Sequence, residues 1–456
     1  MAAAVCHSMI RIPLQPTDSL IPILAALATP SVAAAVAGSI NSVAYLRPLR
    51  DGQIKLLYDA ALGRHYFAVY KGFHIALVLA AVALFVLALG VRTASDFLAA
   101  TFALTVFTGI HTFVRTVWEA YAFNHFLEIA VFCLATLVLA QSRRTRLSGA
   151  AACLLLVVGA LTLESGLLVW VVAAVAWFTR LRGISGRTVV VMTLLVAAYF
   201  VLRFAVLDTG VPGMTERSSG FGTRRLEPAE IVARFGTRPY LFYAYNVASS
   251  ALSLLASEPR DGEWRTAAEL QSDAGLREGS VVNVATSLAA TALIAVYALR
   301  RWPAWRRRRF EAADQLVAIS LAVIAANAVI SFAYTKDDVL SAGGMFYSLA
   351  AYVAAGDFIR RLPSAVTART VIATLFVAAL AAGWTLRAAG VHYHMRLMAF
   401  SVRNDWVNID HWLEAQRATP STPEGKRLVS ALSEDALRRP DINPFFFPPW
   451  MARWFR

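Results

Sequence analysis

Long apolar runs separated by short polar breaks dominate the chain, and their lengths are what the pattern fixes first. A membrane-crossing helix needs about 20 mainly apolar residues, within a range of about 17–25. Runs of this kind sit at 73–92, 96–113, 120–140, 148–164, 166–180, 188–207, 281–299, 314–334, 341–359 and 368–389, which predicts ten spanning helices. An eleventh candidate, LIPILAALATPSVAAAVAGSI at 20–40, is interrupted by Pro22 and Pro30 and is rich in Ala. It either crosses the membrane or lies flat on its surface. As a signal peptide it is poor, because only Arg11 precedes it as a basic residue and the apolar stretch is long.

Composition agrees with this reading. With 58% apolar and 16% charged residues, the chain lies outside the soluble range of roughly 45–50% apolar and about 25% charged. The expected class is an all-α polytopic membrane protein. The 43 Lys+Arg against 29 Asp+Glu give +14, but the arginines lie in short clusters between apolar runs rather than on one face or in a tail, so nucleic acid is not the expected partner. Cys6, Cys133 and Cys153 form no CxxC pair and support neither a disulfide framework nor a zinc site. There is no GxGxxG, P-loop or GxSxG motif, which leaves nucleotide-driven transport and α/β-hydrolase chemistry without a foothold.

Charge placement then orients the spans. Lys and Arg are retained on the cytoplasmic side. Arg143, Arg144 and Arg146, then Arg180, Arg182 and Arg187, then Arg300, Arg301 and the WRRRR run at Arg306–Arg309, then Arg360 and Arg361, all fall on one side when the ten spans alternate. The other side receives a first outer loop at about 41–72, the Glu164 turn, a large outer loop at about 208–280 and a tail from about 390. The stretch YLFYAYNVASSALSLLAS at 240–257 must then not cross, and reads as an interfacial or loop helix. Within the large loop, RLEPAEIVARF reads as a short helix beginning near Pro228. The tail begins as a helix and ends in aromatic residues suited to a membrane surface or to packing on the outer region.

The same outer side gathers the unusual polar residues: Glu119 at the start of the third span, Glu164 in the Glu-Ser-Gly turn, Asp208, and Lys336, Asp337 and Asp338. Ionisable groups at membrane depth are costly and tend to line polar cavities, so a shared outward cavity is expected. Each group also has a plainer reading. Arg47 and Arg50 suit a lipid phosphate, and equally suit ordinary headgroups. His65 and His74 lack the spacing of metal ligands on one helical face and read as structural. Lys336-Asp337-Asp338 also fits an ordinary helix end. His392 and His394 have no third ligand nearby in sequence, so a surface role is expected.

The stretch YLRPLRDGQIKLLYDAALGRHYFAVYKGFHI at 45–75 carries the most specific pattern: Tyr45, Arg47-Pro48-Leu49, then Leu62-Gly63, then Phe73-His74 opening a membrane helix. It resembles the signature of bacterial GT-C-type integral membrane glycosyltransferase-like proteins, in the branch related to protein O-mannosyltransferases and their tetratricopeptide-linked cousins. Trp118-Glu119 with Asn124, Leu163-Glu164, Tyr334 to Asp338 and Asn404-Asp405-Trp406 follow in the family's order, so the likeness runs over roughly 45–412.

The resemblance implies a GT-C-like bundle of ten to eleven helices over 1–389, with a small C-terminal extracytoplasmic region at 390–456, in a bacterial-type inner membrane with the active face outside. It implies a sugar donor carried on polyprenyl phosphate, a glycan, lipid or protein acceptor, and contact with membrane lipids. An acid in the first outer loop would be the general base, for which Asp18, Asp51 and Asp59 are candidates. Asp18 takes the role if 20–40 lies on the surface, and Asp51 if it spans. Arg47, Arg50, His65, His74, Glu119, Glu164, Lys336 and Asp337 are the candidates around the lipid phosphate. No cofactor is implied with certainty, and the need for a divalent metal stays open. The chain departs from the family in lacking its pair of adjacent acids, its tetratricopeptide tail and the Lys usual where Leu163 stands. A catalytically silent relative serving envelope glycan synthesis, and a lipid-handling transporter, are the alternatives; the chain shows no inverted repeat of the transporter kind.

Overall fold

The computed structural model describes residues 2–40, 45–113, 123–143, 145–211, 213–273, 275–362, 367–439 and 454. Helix α1 (Ala2–Arg11) and a π-helical turn (Pro16–Leu20) lead into α2 (Ile21–Ala28) and α3 (Val32–Ile40). There follow α4 (Pro48–Ala60), α5 (Tyr66–Leu89), α6 (Ala94–Gly109), the single turn α7 (His111–Phe113), α8 (His125–Gln141), α9 (Arg146–Thr162), α10 (Leu168–Phe178) and α11 (Gly186–Phe200). An insert then holds the antiparallel hairpin β1 (Ser219–Phe221) and β2 (Arg224–Leu226), and helices α12 (Pro228–Phe235), α13 (Pro239–Ala256) and α14 (Arg265–Gln271). The chain continues through α15 (Glu278–Arg306), α16 (Ala312–Ile330), α17 (Ser341–Arg360), α18 (Ala368–Val407), α19 (Ile409–Ala415) and α20 (Pro423–Leu437).

Every apolar run is helical over most of its described length, and among the described residues the architecture is helical apart from one hairpin. Among the described residues, five helices are long and apolar enough to cross a membrane: α5, α11 with its continuation to Val206, α15, α16 and α18. The pair Pro16–Ala28 and Val32–Ile40 would make a sixth if taken as one span, but it bends by 113°. The break falls at Thr29-Pro30-Ser31, and α2 and α3 fold around α4 instead of forming one straight rod. Gly52 makes that approach possible, since a methyl group there would lie 2.7 Å from Val36 Cγ2. Helices α6, α8, α9 and the Glu164–Phe178 segment are apolar but shorter.

Helix α17 reads like another span and has a different position. From Ser341 to Gly356 every residue is buried, and the helix packs against α6, α15 and α16 as the axis of the bundle. Its small residues are what allow this. A methyl on Gly343 would sit 2.6 Å from Leu254 Cδ1, and one on Gly344 would overlap Thr112 Oγ1. Close backbone approach through small residues is the usual solution where helices pack without a hydrophobic drive.

The two ends of the bundle differ chemically. At one end the arginine clusters meet acids at helix ends: Arg301 pairs with Asp314 at 2.7 Å, Arg300 with Asp357 at 3.0 Å and Arg360 with Asp96 at 3.3 Å. Asp96 and Asp314 also complete capping boxes with Thr93 and Glu311. The opposite end holds the insert, where Leu226, Ile231, Phe235 and Phe242 form a small core of their own. The expected helix near Pro228 is α12. Helix α13 turns Asn246, Ser249, Ser250 and Ser253 inward and packs on α15, α16 and α17.

Helix α18 runs for 40 residues, so the boundary placed at residue 389 falls inside a continuous helix. Beyond it, Val402, Trp406, Leu413 and Leu432 share one core with Leu14, Leu20, Ile54 and Tyr70. The Trp406 indole N–H donates to the Leu14 carbonyl.

Candidate functional site

A cavity of about 550 Å³ opens at the end of the bundle opposite the arginine clusters. Seven separate pieces of chain build it: the π-helical turn and start of α2, the segment entering α4, residues 123–126 at the start of α8, the turn between α9 and α10, the end of α11 with its π-helical continuation, Val211 and Arg217, and residues 329–339 at the end of α16 and beyond. Asp18, Arg47, Arg50, Glu164 and Lys336, which are scattered over more than 300 residues of sequence, all line it.

Arg47 is placed by Pro48, which starts α4 and leaves Arg47 at the N-cap. Its guanidinium stacks over the Tyr45 ring at 3.9 Å. It donates to Glu164 Oε2 through Nη2 at 2.6 Å and through Nε at 3.0 Å. Burial works against the Arg47 charge, yet Glu164 outweighs it and the pKa rises above its ordinary value. Glu164 owes its position to glycine. A methyl on Gly166 would lie under 3.0 Å from the Gly159 carbonyl and the Ala160 nitrogen, so only glycine lets the one-turn 3-10 helix Glu164–Leu167 fold back on α9. Tyr45 donates to Glu216 in the insert. Burial, then that hydrogen bond, push its phenol well above the usual range, so it stays a neutral donor.

Sequence reasoning missed Arg203. It sits in the π-helical stretch Val201–Val206, and its residue is 4% exposed. Nη1 lies 3.2 Å from Tyr199 Oη and 3.5 Å from Glu164 Oε1, so one carboxylate serves two guanidinium groups. The signal was present: a single arginine inside the apolar run YFVLRFAVL is costly enough to mark a polar site. Arg217, whose guanidinium lies over the Tyr334 ring at 5.3 Å, and His125 are further lining residues that the sequence did not single out.

The other candidates stand elsewhere. Asp51 pairs with Arg50 at 2.9 Å but does not line the cavity. Asp59 pairs with Lys55 at 2.8 Å on the exposed side of α4. His65 is exposed ahead of α5. His74 is buried, with Nε2 2.8 Å from Asn124 Nδ2, and Asn124 also caps α8 through the Leu127 N–H. That is a structural histidine. Asp337 is fully buried and turned away, 3.6 Å from His111 Nε2 and 3.6 Å from Arg260 Nη2, while its own N–H donates to Asp261 Oδ1 at 3.0 Å. Glu119 lies outside the described residues. Among the described residues no three His, Cys, Asp or Glu converge closely enough to hold a metal ion.

The cavity is amphipathic. Five cations, Arg47, Arg50, Arg203, Arg217 and Lys336, face two carboxylates, Asp18 and Glu164. Leu163, Leu167, Phe123, Phe126 and Phe332 form apolar walls. Phe200, Phe204, Val211 and Val329 extend those walls outward and are 40–58% exposed, so the cavity opens sideways onto an apolar surface. Comparison with known proteins adds no relative: no protein-family model, curated protein or solved structure matches the chain. The chemistry of the cavity itself is what remains to argue from. It suits an amphiphile with an anionic head, held by charge-assisted hydrogen bonds, and an apolar tail lying along the side opening.

Proposed function

We propose that the chain is a membrane glycosyltransferase of GT-C-like type, with ten spans and residues 20–40 not crossing, working on the extracytoplasmic face of a bacterial-type plasma membrane. It takes a sugar from a polyprenyl-phosphate carrier and transfers it to an acceptor hydroxyl. The observation that carries this reading is that Asp18 shares one cavity with Arg47, Arg50, Glu164 and Lys336. A carboxylate and a cation cluster in one amphipathic cavity are what the reaction needs.

Asp18 accepts the acceptor hydroxyl's proton as its oxygen attacks the anomeric carbon. The bond from that carbon to the phosphate oxygen breaks, and the electron pair leaves with the phosphate. Arg50, Lys336 and the Arg47–Glu164 unit stabilise the charge that develops there. The isoprenoid chain follows the wall from Phe332 to Phe204 and out between α11 and α16. Of the three candidate bases, Asp18 is preferred because it lines the cavity, whereas Asp51 and Asp59 do not and are each engaged by a neighbouring cation.

General-base removal costs on the order of 10²–10⁴ in rate. The purified full chain in lipid nanodiscs, supplied with a polyprenyl-phosphate sugar and an acceptor extract, should therefore lose at least about a hundredfold in transfer on Asp18→Asn, with donor binding retained. Asp51→Asn and Asp59→Asn should stay within a fewfold of wild type. Full transfer by Asp18→Asn would sink the assignment, and donor binding without transfer in the unmutated chain would favour a silent, lipid-binding relative.

A further inference from the structure

A second cavity, of about 180 Å³, lies on the other side of the segment that carries Lys336. His111 and Arg260 line it, and both contact Asp337, the residue next to Lys336. Four guanidinium groups, from Arg260, Arg265, Arg277 and Arg387, face two carboxylates, from Glu258 and Glu269, along its described walls.

Three of these arginines are balanced. Arg260 faces Asp337 at 3.6 Å, Arg265 faces Asp261 at 3.4 Å and Arg277 faces Glu269 at 2.9 Å. The two wall carboxylates are also saturated: Glu258 accepts from the Arg265 and Thr266 N–H groups and the Thr266 hydroxyl, and Glu269 from the Arg277 N–H and the Ser280 hydroxyl.

Arg387 is the exception. Its residue is 6% exposed and its guanidinium stacks on Trp384 at 3.9 Å. Every partner it has among the described residues is neutral: the carbonyls of Gly109 and Asn283 and the hydroxyls of Thr286, Ser287 and Ser257. Five neutral acceptors hold the group in one orientation without cancelling its charge. A buried charge without a counter-ion is strongly unfavourable, and here it lines an accessible cavity. The first turn of the long helix α15, at Gly279 and Ser280, faces the same space, where its N–H groups and dipole favour an anion.

We propose that this second cavity is a binding site for a phosphate group, with Arg387 as its buried anchor and Arg265 at its rim. Any link of this phosphate to the sugar acceptor rests on the transferase reading, whereas the anion site does not. Two sources share this chemistry, a soluble phosphorylated glycan and an anionic lipid headgroup.

Calorimetric titration of the full chain in detergent with inorganic phosphate, at constant ionic strength, tests the site. The expected result is a saturable component weakened at least about tenfold by Arg387→Gln and by Arg265→Gln and unmoved by Arg50→Gln/Lys336→Gln, which alters the first cavity. Arg265 is 41% exposed at its side chain, so its variant remains informative if Arg387→Gln fails to fold. Absence of such a component, or a component indifferent to Arg265→Gln in a folded protein, overturns the proposal. Repeating the titration in phosphatidylcholine nanodiscs with and without phosphatidylglycerol separates the sources: competition by the anionic lipid assigns a headgroup, and its absence assigns a soluble phosphorylated glycan. Asp18→Asn should leave this phosphate component intact, so failure of the transferase reading and failure of the anion site are seen separately.

Discussion

Replacing Glu164 by Gln should move stability and ligand affinity in opposite directions. The carboxylate holds Arg47 at 2.6 Å and Arg203 at 3.5 Å, with the three side chains 19%, 13% and 5% exposed respectively. Breaking a fully buried pair costs about 3–5 kcal/mol. Partial exposure here, and the acceptor oxygen that Gln retains, reduce the expected loss to roughly 2–3 kcal/mol. The cavity's wall charge meanwhile shifts from five cations against two carboxylates to five against one. A removed charge about 7 Å from a bound phosphate, at an effective dielectric constant near 20, corresponds to roughly 2 kcal/mol before salt screening. Affinity for a polyprenyl phosphate should therefore rise about ten- to thirtyfold at low salt, while the thermal midpoint in detergent falls. Intrinsic-fluorescence unfolding gives the first quantity and titration with a fluorescent polyprenyl phosphate the second. Weaker lipid binding in a folded Glu164→Gln protein would refute the placement of the phosphate beside Arg47.

Gly166→Ala should destabilise by about 1–3 kcal/mol through overpacking, because the added methyl meets backbone that no rotamer can move aside. Gly72→Ala, with nothing within 4 Å of the new methyl, should be neutral or stabilising by up to about 1 kcal/mol; equal midpoints for the two variants in a thermal melt would contradict the close approach. Asn124→Ala removes both the cap of α8 and the partner of His74, and should cost about 2–3 kcal/mol. Asn124→Asp should keep the cap and recover part of that in chemical denaturation.

The helices were legible because an apolar run of span length has few alternatives. What each helix faces was harder to read. The run at 341–359 looks like its neighbours in hydropathy, and only its Ser-Ala-Gly-Gly start hints at the bundle's axis. Pro30 marked the break in 20–40, but the close seat of α3 on α4 at Gly52 lies in a different element and had no signature within 20–40. Arg47, Arg50, Glu164 and Lys336 were recognisable as polar groups on one side of a membrane pattern, whereas the side of Asp18 hung on whether 20–40 spans. Arg203 escaped because an apolar run was read as span first and as individual residues second. Asp337 was grouped with Lys336 by adjacency, yet neighbouring residues in an irregular segment point to different cavities. Pairings such as Arg47 with Glu164, 117 residues apart, have no local signature at all.

The contact between Trp406 and the Leu14 carbonyl also sets an order of events during synthesis. The two residues are 392 positions apart, and at about 5–20 residues per second roughly 20–80 seconds separate their emergence from the ribosome. Asp18 lies one turn beyond Leu14, in a segment whose core partners, Val402, Trp406, Leu413 and Leu432, arrive last. The carboxylate end of the first cavity is thus completed only once the final long helix is in place. A nascent or truncated chain would carry the arginines of that cavity before it carries a seated Asp18, so a premature stop near residue 390 should leave a protein that retains lipid phosphate and cannot turn it over.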